Sequence, residues 1–317
     1  MTTFESLPSG EVATFSRAQA VRAGYSDHEI ESAVRTGRWM RVRRGAYAVV
    51  STTGGAPDPE RLHVLRAHDV GSRFGTGAAL SHQSAVLIHG LPVWGASLAD
   101  IHVTRVDGGP TRARAGVRSH RGALGRDELT KIGAMRVTTV ERSIVDLARG
   151  AGFEAAVCSM DAALRGGVVS AGALERATGR VAGRPGAGHA RRAVAFADAG
   201  SESVGESRLR VALHEVGLPS PTLQQEFRSA GRVIARVDFW WPEQMVIAEF
   251  DGLVKYRGTM GQPVEVLIAE KRREDQLRAL TGATVIRVTW RELDDRAQLE
   301  RSLRRALNGS MPRLDRH

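Results

Sequence analysis

The stretch Val233–Gly252, VIARVDFWWPEQMVIAEFDG, decides the fold of the C-terminal part of this chain. Two short apolar runs flank a turn that contains Pro242, and this pattern predicts an antiparallel β-hairpin. With the turn centred just after the proline, the register places Asp238 directly opposite Glu249. Opposed side chains share one face with their Cβ atoms about 5 Å apart, close enough to share a divalent metal ion. Asp251 lies on the same face if the strand continues.

Further elements are predicted on both sides of this hairpin. A helix is predicted over Ser201–Val216, where Gly217 ends it. After the hairpin come a long charged helix over Val264–Thr281, an apolar strand over Thr284–Trp290 and an amphipathic helix over Leu293–Leu307. The order is therefore helix, hairpin, helix, strand and helix.

This order resembles the PD-(D/E)XK nuclease fold, and specifically the branch that looks like very-short-patch-repair endonucleases. The resemblance covers roughly residues 201–308. It rests on the motifs Val237-Asp238-Phe239 and Ala248-Glu249-Phe250-Asp251-Gly252, and on the run EKRREDQL that begins at Glu270. What it implies is a restriction-endonuclease-like α/β domain that hydrolyses phosphodiester bonds with a divalent metal ion.

The resemblance also implies roles for individual residues. Asp238 and Glu249, together with Asp251, are the expected ligands of Mg²⁺ or Mn²⁺. Glu206 is expected to orient a water molecule or to act as a base, although with Ser203 it also fits a helix capping box. Asp251 stands where the family motif has a lysine, so Lys271 of the next helix is expected to stabilise charge on the phosphate. The non-catalytic interpretation is that these carboxylates form ion pairs in a degenerate scaffold.

The N-terminal part carries a second, independent pattern. A short helix is predicted over 16–24, and a second helix begins at Ser26 with Glu29 completing a capping box. The segments Trp39–Arg43 and Ala46–Val50 alternate around a turn and predict a β-hairpin. Two helices joined by a tight turn and followed by a hairpin are the element order of a winged helix-turn-helix.

Arginines cluster at the end of the second helix and along the wing. Such a cluster can neutralise DNA phosphates. The start of the same helix is acidic, so either the wing makes most of the DNA contacts or the module binds a protein. The predicted nucleic-acid-binding residues are Arg35, Arg38, Arg41, Arg43 and Arg44.

The middle of the chain predicts helices over Pro59–Phe74 and Ala78–His89, then strands over Ile101–Arg105 and Val117–His120. An arginine-rich loop joins the two strands, which indicates either a second phosphate-binding surface or a solvated hairpin. A strand that runs into a helix follows over Met135–Ala148.

His82 and Ser84 are of the residue types used in nucleophilic catalysis. The sequence offers no nearby acid that would complete a triad. Ser81 is a suitable helix N-cap and His82 a suitable first residue, so the structural interpretation is favoured.

Three segments, Phe15–Val50, Ala79–Gly90 and Val137–Ala148, together resemble the AbiEi-type antitoxin proteins of actinobacteria. In that family a winged-helix domain precedes a second domain. The resemblance implies DNA binding, repression of the protein's own promoter and a cognate toxin within a type IV toxin–antitoxin system. The alternative to a nuclease is therefore a non-catalytic transcriptional regulator.

Composition agrees with a nucleic-acid partner. The net charge of +10 favours an anionic partner or reflects an arginine-rich surface. The sequence has no apolar run of about 18 residues and no signal-peptide pattern, and Cys158 is its single cysteine, so we expect a cytoplasmic protein that is not in the membrane.

The expected organisation has several domains of α+β and α/β type. It comprises a winged helix-turn-helix over 1–52, an α+β middle domain over 59–178, a linker and short helix over 179–200, the nuclease-like domain over 201–308 and a tail over 309–317.

Overall fold

A computed structural model describes residues 14–49, 58–74, 77–106, 115–229, 231–252, 277–279 and 281–309. The chain forms two compact units of mixed α+β structure. The first unit comprises residues 1–159 and 168–195, and the second comprises residues 160–167 and 196–317. None of the described helices is both long enough and apolar enough to cross a membrane.

The N-terminal module of the first unit has the elements of a winged helix. These are β1 (Thr14–Ser16), α1 (Arg17–Arg22), α2 (Asp27–Arg35), β2 (Trp39–Arg43) and β3 (Ala46–Val49), with the strand order β1-β3-β2. The predicted capping box is confirmed, since Ser26 Oγ accepts a hydrogen bond from Glu29 N and Glu29 Oε2 accepts one from Ser26 N. Phe15, Ile30 and Trp39 form the small core that joins the helices to the sheet.

The rest of the first unit is a five-stranded sheet with helices, in the strand order β6-β5-β4-β8-β7. Leu80, Ile101, Val103 and Val137 form the apolar core of this sheet. The elements are α3 (Pro59–Gly71), β4 (Ala78–Leu80), α4 (His82–Ile88), β5 (Ile101–Arg105), β6 (Val117–Arg121), β7 (Leu129–Ile132), β8 (Met135–Thr138), α5 (Val140–Gly150), α6 (Phe153–Arg165), α7 (Ala171–Arg180) and α8 (Ala187–Phe196), with Arg126–Glu128 forming a short 3-10 helix.

Two expectations for this sheet are wrong. The segment Ala78–His89 is not one helix, because Ala78–Leu80 forms a buried strand at the centre of the sheet before the helix begins at His82. The strands β5 and β6 are not a hairpin, because they pair in parallel. Periodicity alone could not detect either feature, since a short apolar run fits a buried strand and a buried helix equally well.

The second unit is built on a four-stranded sheet in the order β12-β11-β10-β9. Its core lies between the sheet and the helices, where Leu209, Leu213, Phe239, Trp241 and Leu303 are buried together. The elements are α9 (Val204–Glu215), β9 (Thr222–Ser229), β10 (Arg232–Trp241), β11 (Val246–Asp251), β12 (Thr284–Thr289), α10 (Trp290–Asp294) and α11 (Arg296–Gly309).

The hairpin register predicted from Val233–Gly252 is confirmed. Phe239 pairs with Ala248 and Trp241 pairs with Val246, which is the predicted alignment. The pairing of the two strands ends at Phe239 and Ala248, one position before Asp238 and Glu249. The strand β12 then joins β11 in parallel. Most of the predicted helix over 264–281 lies outside the described residues.

Candidate functional site

The buried carboxylate of Glu206 lies in the first turn of α9. The helix begins after Ser203, whose hydroxyl accepts a hydrogen bond from Glu206 N at 3.2 Å and donates one to Glu206 Oε1 at 2.8 Å. Glu206 Oε2 accepts a further hydrogen bond from Glu202 N at 2.8 Å. Ser203 therefore caps the helix, but the reciprocal bond of the predicted capping box is not formed, because the Glu206 carboxylate accepts from Glu202 N instead of Ser203 N. These contacts fix the carboxylate in one orientation.

Asp238 lies on β10 where the pairing with β11 ends. Its Oδ2 accepts a hydrogen bond from Phe250 N at 2.9 Å, so the side chain satisfies the backbone of the neighbouring strand. Its Oδ1 accepts a hydrogen bond from the side-chain amide of Gln224 at 3.2 Å. The same amide nitrogen donates to Glu206 Oε2 at 2.9 Å. One amide group therefore bridges two carboxylates from different elements.

Gln224 adopts a strained backbone conformation to make this bridge. Its φ is 50°, in the left-handed region that residues other than glycine rarely occupy. Such strain costs of order 1–3 kcal/mol and persists where the surroundings fix it, most often at functional sites. The sequence interpretation missed Gln224, because nothing in the local pattern distinguishes it from Gln225.

The two carboxylates are only partly compensated by a cation, because burial raises the pKa of Asp238 more than Arg236 lowers it. Burial raises the pKa of Glu206, and the negative charge of Asp238 raises it further. Burial likewise raises the pKa of Asp238. The nearby Arg236 binds Glu202 at 2.8 Å. Two buried carboxylates whose pKa values stay raised are costly to ionise, so this pair is suited to bind a further cation.

A close contact of Gly205 sets the distance between the two elements. A Cβ atom added at Gly205 would lie 1.9 Å from a ring atom of Phe250, so only glycine allows the start of α9 to lie this close to β11. The ring of Phe250 also packs edge-on against Trp290, with centroids 5.0 Å apart. Glycine is therefore required at position 205 for Glu206 to lie next to β11.

The other residues predicted for this site are less well defined. Glu249 and Asp251 are both half-buried on β11. In the described part of the second unit, no three carboxylates bring ligand atoms within 4.8 Å of one another. Lys271 lies outside the described residues. The structure therefore brings together Glu206 and Asp238, through Gln224.

The predicted nucleic-acid surface of the N-terminal module is exposed. Arg35, Arg38, Arg41, Arg43 and Arg44 all have exposed side chains. Arg43 Nε donates a hydrogen bond to Asp69 of α3 at 2.5 Å. This arginine therefore links the wing to α3. At the acidic start of α2, Asp27 is paired with Arg17 at 2.6 Å.

Ser84 contacts two further residues of the first unit, His63 and His102. Ser84 Oγ lies 2.8 Å from Nε2 of the buried His63 and accepts a hydrogen bond from His102 N. Nδ1 of His63 lies 3.0 Å from Leu98 O, which leaves the ring no free nitrogen. These contacts supply hydrogen-bond partners for the buried side chains of Ser84 and His63, which agrees with the structural interpretation of Ser84. His82 belongs to a different cluster.

Comparison with known proteins identifies relatives of this chain. Residues 11–50 match the family described as "Transcriptional regulator, AbiEi antitoxin". Two Mycobacterium tuberculosis proteins, the uncharacterized proteins Rv2248 (strain H37Rv) and MT2308 (strain CDC 1551), are each 30% identical over 258 residues, which is 81% of this chain and 88% of theirs. The chain belongs to the same family as Rv2248 and MT2308.

A solved structure, that of the RV2827C protein from Mycobacterium tuberculosis, aligns with 68% of this chain and 84% of its own length, at 12% identity and a TM-score of 0.37. This similarity is too low to define the fold. The match over residues 11–50 agrees with the winged-helix elements of the N-terminal module, so this part of the Rv2248-like chain is an antitoxin-type regulator domain.

Proposed function

We propose that this Rv2248-like protein is a transcriptional regulator of the AbiEi antitoxin type that binds DNA through its N-terminal module. The observation that carries this proposal is the match of residues 11–50 to that family. It is supported by the exposed arginines of α2 and the wing. The acidic start of α2 is repelled by DNA phosphates, which disfavours insertion of this helix into the major groove. Contacts between the wing and the phosphates therefore provide most of the affinity. A cognate toxin is a second partner that this antitoxin class implies.

The test is binding to the DNA upstream of the protein's own gene, measured at several salt concentrations. The double variant Arg41→Ala, Arg44→Ala should weaken binding about tenfold or more and reduce the slope of log K against log salt by about 1.8, at 0.9 per phosphate contact. Arg43 is left intact because it is paired with Asp69.

The matched control is Arg191→Ala, Arg192→Ala, which removes the same charge from exposed positions on α8. An equal loss of affinity in both double variants would show that only net charge matters. An unchanged salt slope in the wing variant would reject the wing as the contact surface.

A second function, metal-dependent phosphodiester hydrolysis, is favoured by the Gln224-bridged carboxylates. Mg²⁺ prefers oxygen ligands and commonly binds through one or two carboxylates, so the donor set of Asp238 and Glu206 fits it, with Glu249 and Asp251 as further candidates. When bound, such an ion would polarise a phosphoryl oxygen and lower the pKa of a water molecule.

The chain's own residues would perform the remaining steps. Burial raises the pKa of Glu206, which makes its carboxylate a better proton acceptor near neutral pH. Gln224 holds Glu206 and Asp238 at a fixed separation, and Asp238 is oriented by Phe250 N. Lys271 is the proposed cation for the charge on the phosphate.

The test is a Mg²⁺- or Mn²⁺-dependent cleavage assay on plasmid, single-stranded DNA and RNA. Asp238→Asn and Glu249→Ala should each abolish cleavage, and Gln224→Ala should reduce it. The control Glu226→Gln alters an exposed carboxylate on β9 and should have no effect. Cleavage that survives Asp238→Asn would exclude this site. If the wild type cleaves none of these substrates, only the proposed regulator function remains.

A further inference from the structure

Three histidines from three different elements meet in the first unit. His82 begins α4, His102 lies on β5 and His120 lies on β6. Nδ1 of His102 is 3.0 Å from Nε2 of His120, and the rings of His82 and His120 are stacked with centroids 3.7 Å apart. One ring nitrogen from each residue lies within 4.8 Å of the other two.

The backbone at His82 is strained in a way that holds its ring in this cluster. Its φ is 53°, in the left-handed region. Nδ1 of His82 lies 2.9 Å from Ser81 Oγ, which also accepts a hydrogen bond from Thr104 at 2.8 Å. Ser81 makes no capping hydrogen bond to α4 and instead contacts the ring. Ser81 therefore binds the ring of the strained His82 and does not cap the helix. Backbone strain of this kind is most often found at functional sites, so we infer a function for His82.

The cluster opens onto a cavity of about 530 Å³. Arg118, Arg149 and Asp100 are among its lining residues. The guanidinium of Arg149 is held by Asp146 and by Pro185 O. The cavity is therefore wide enough for a small ligand, and it is lined by the arginines Arg118 and Arg149 and by the carboxylates Asp100 and Asp146.

The imidazoles are neutral near pH 7. Burial lowers the pKa of His102 to about 3 and that of His120 to about 4, and the pKa of His82 is also lowered by burial. Neutral imidazole nitrogens are the commonest ligands of zinc and of related transition-metal ions in proteins.

We propose that His82, His102 and His120 bind one Zn²⁺ ion, with the fourth coordination position open to the cavity. Two nitrogens bound tetrahedrally to zinc at about 2.0–2.1 Å are about 3.3–3.4 Å apart, so the 3.0 Å between His102 Nδ1 and His120 Nε2 needs to widen by only about 0.3 Å. One ring nitrogen of His82 lies within 4.8 Å of these two nitrogens, so a small movement of the three side chains would bring all three to one ion. Three histidines with one open position form a site that binds water or an anion.

A contact between Gln83 and His102 leads to a specific prediction for metal binding. Its amide nitrogen donates to Ser97 O at 3.0 Å and faces Nε2 of His102 at 2.9 Å. This contact holds the ring proton of His102 on Nδ1. Coordination through Nδ1 moves that proton to Nε2, so an acceptor at position 83 should favour the metal-bound form.

The test is Zn²⁺ binding by the full-length protein, measured by competition with a chromogenic chelator, together with the visible spectrum of the Co²⁺ form. The wild type should bind one ion tightly. His82→Asn should weaken binding about 10- to 100-fold while keeping the fold, because asparagine tolerates a positive φ. His120→Asn should do the same, and Gln83→Glu should tighten binding.

His189→Asn, which alters an exposed histidine, should leave the Zn²⁺ affinity unchanged. Circular dichroism and thermal unfolding without metal show whether each variant is folded. The proposal is overturned if the wild type binds no more tightly than His82→Asn, or if the Co²⁺ spectrum is the same in both. It is also overturned if His189→Asn reduces binding as much as His120→Asn.

Discussion

Two groups of buried carboxylates, one in each unit, are stabilised in opposite ways. In the first unit Arg142 donates to Glu128 at 2.6 Å and to Asp146 at 2.7 Å, and Arg149 donates to Asp146 at 2.9 Å. In the second unit Glu206 and Asp238 share a neutral amide. Arg142 is only 2% exposed, so Glu128 and Asp146 are both paired with a buried cation. Burial alone therefore does not indicate a functional site, whereas buried carboxylates whose pKa values stay raised are candidates for one.

The largest effect is expected from Arg142→Met. This change leaves the carboxylate of Glu128 buried without a partner and removes one of the two cations beside Asp146. Breaking a buried ion pair from one side typically costs about 3–5 kcal/mol. The free energy of unfolding of the first unit, measured with urea, should fall by this amount. A loss below about 1 kcal/mol would mean that the network is not a stabilising feature.

A smaller loss is expected from Gly205→Ala. The added methyl group would overlap the ring of Phe250, and overpacking typically costs about 1–3 kcal/mol. The unfolding free energy of the second unit should fall, and any metal-dependent activity should fall with it because α9 carries Glu206.

Adding Phe250→Leu should restore part of the stability of Gly205→Ala. Gly188→Ala is the control, since nothing lies within 4 Å of a Cβ atom at this helical glycine, and it should be neutral or stabilising. If the two alanine variants unfold alike, the close approach is not required.

Glu206→Gln is expected to increase the free energy of unfolding instead of lowering it. The pKa of Glu206 is raised in the folded state, so ionisation costs stability as the pH rises above its unfolded value of 4.5. The stability of the variant relative to that of the wild type should therefore increase as the pH rises from about 4 to 8. Thermal unfolding in EDTA measures this. Glu226→Gln should show no such pH-dependent gain.

The smallest effect is expected from Arg180→Met. Arg180 binds Asp127 at 2.6 Å, but their side chains are 47% and 64% exposed. Exposed ion pairs contribute about 0–1 kcal/mol, and salt screens them. Urea unfolding with and without 0.5 M salt should differ little from the wild type. A loss near that of Arg142→Met would contradict the argument that burial sets the value of these pairs.

The local patterns of the sequence determined much of the secondary structure. The capping residues Ser26 and Glu29 and the alternating apolar positions predicted α2 and the wing. The hairpin register followed from the turn and from alternation alone, because a strand has a two-residue period and a shift by one residue would expose its core face. Apolar runs did not reveal that Ala78–Leu80 is a central strand.

The sequence by itself determined the winged-helix elements, the hairpin and the position of Asp238, since each depends on neighbours only a few residues apart. Only the tertiary structure decided which polar groups meet. Gln224 joins Glu206 to Asp238 because a strained backbone turns its side chain toward both. The histidine cluster depends on the parallel pairing of β5 with β6, which brings together residues 18 positions apart and is set by the sheet as a whole.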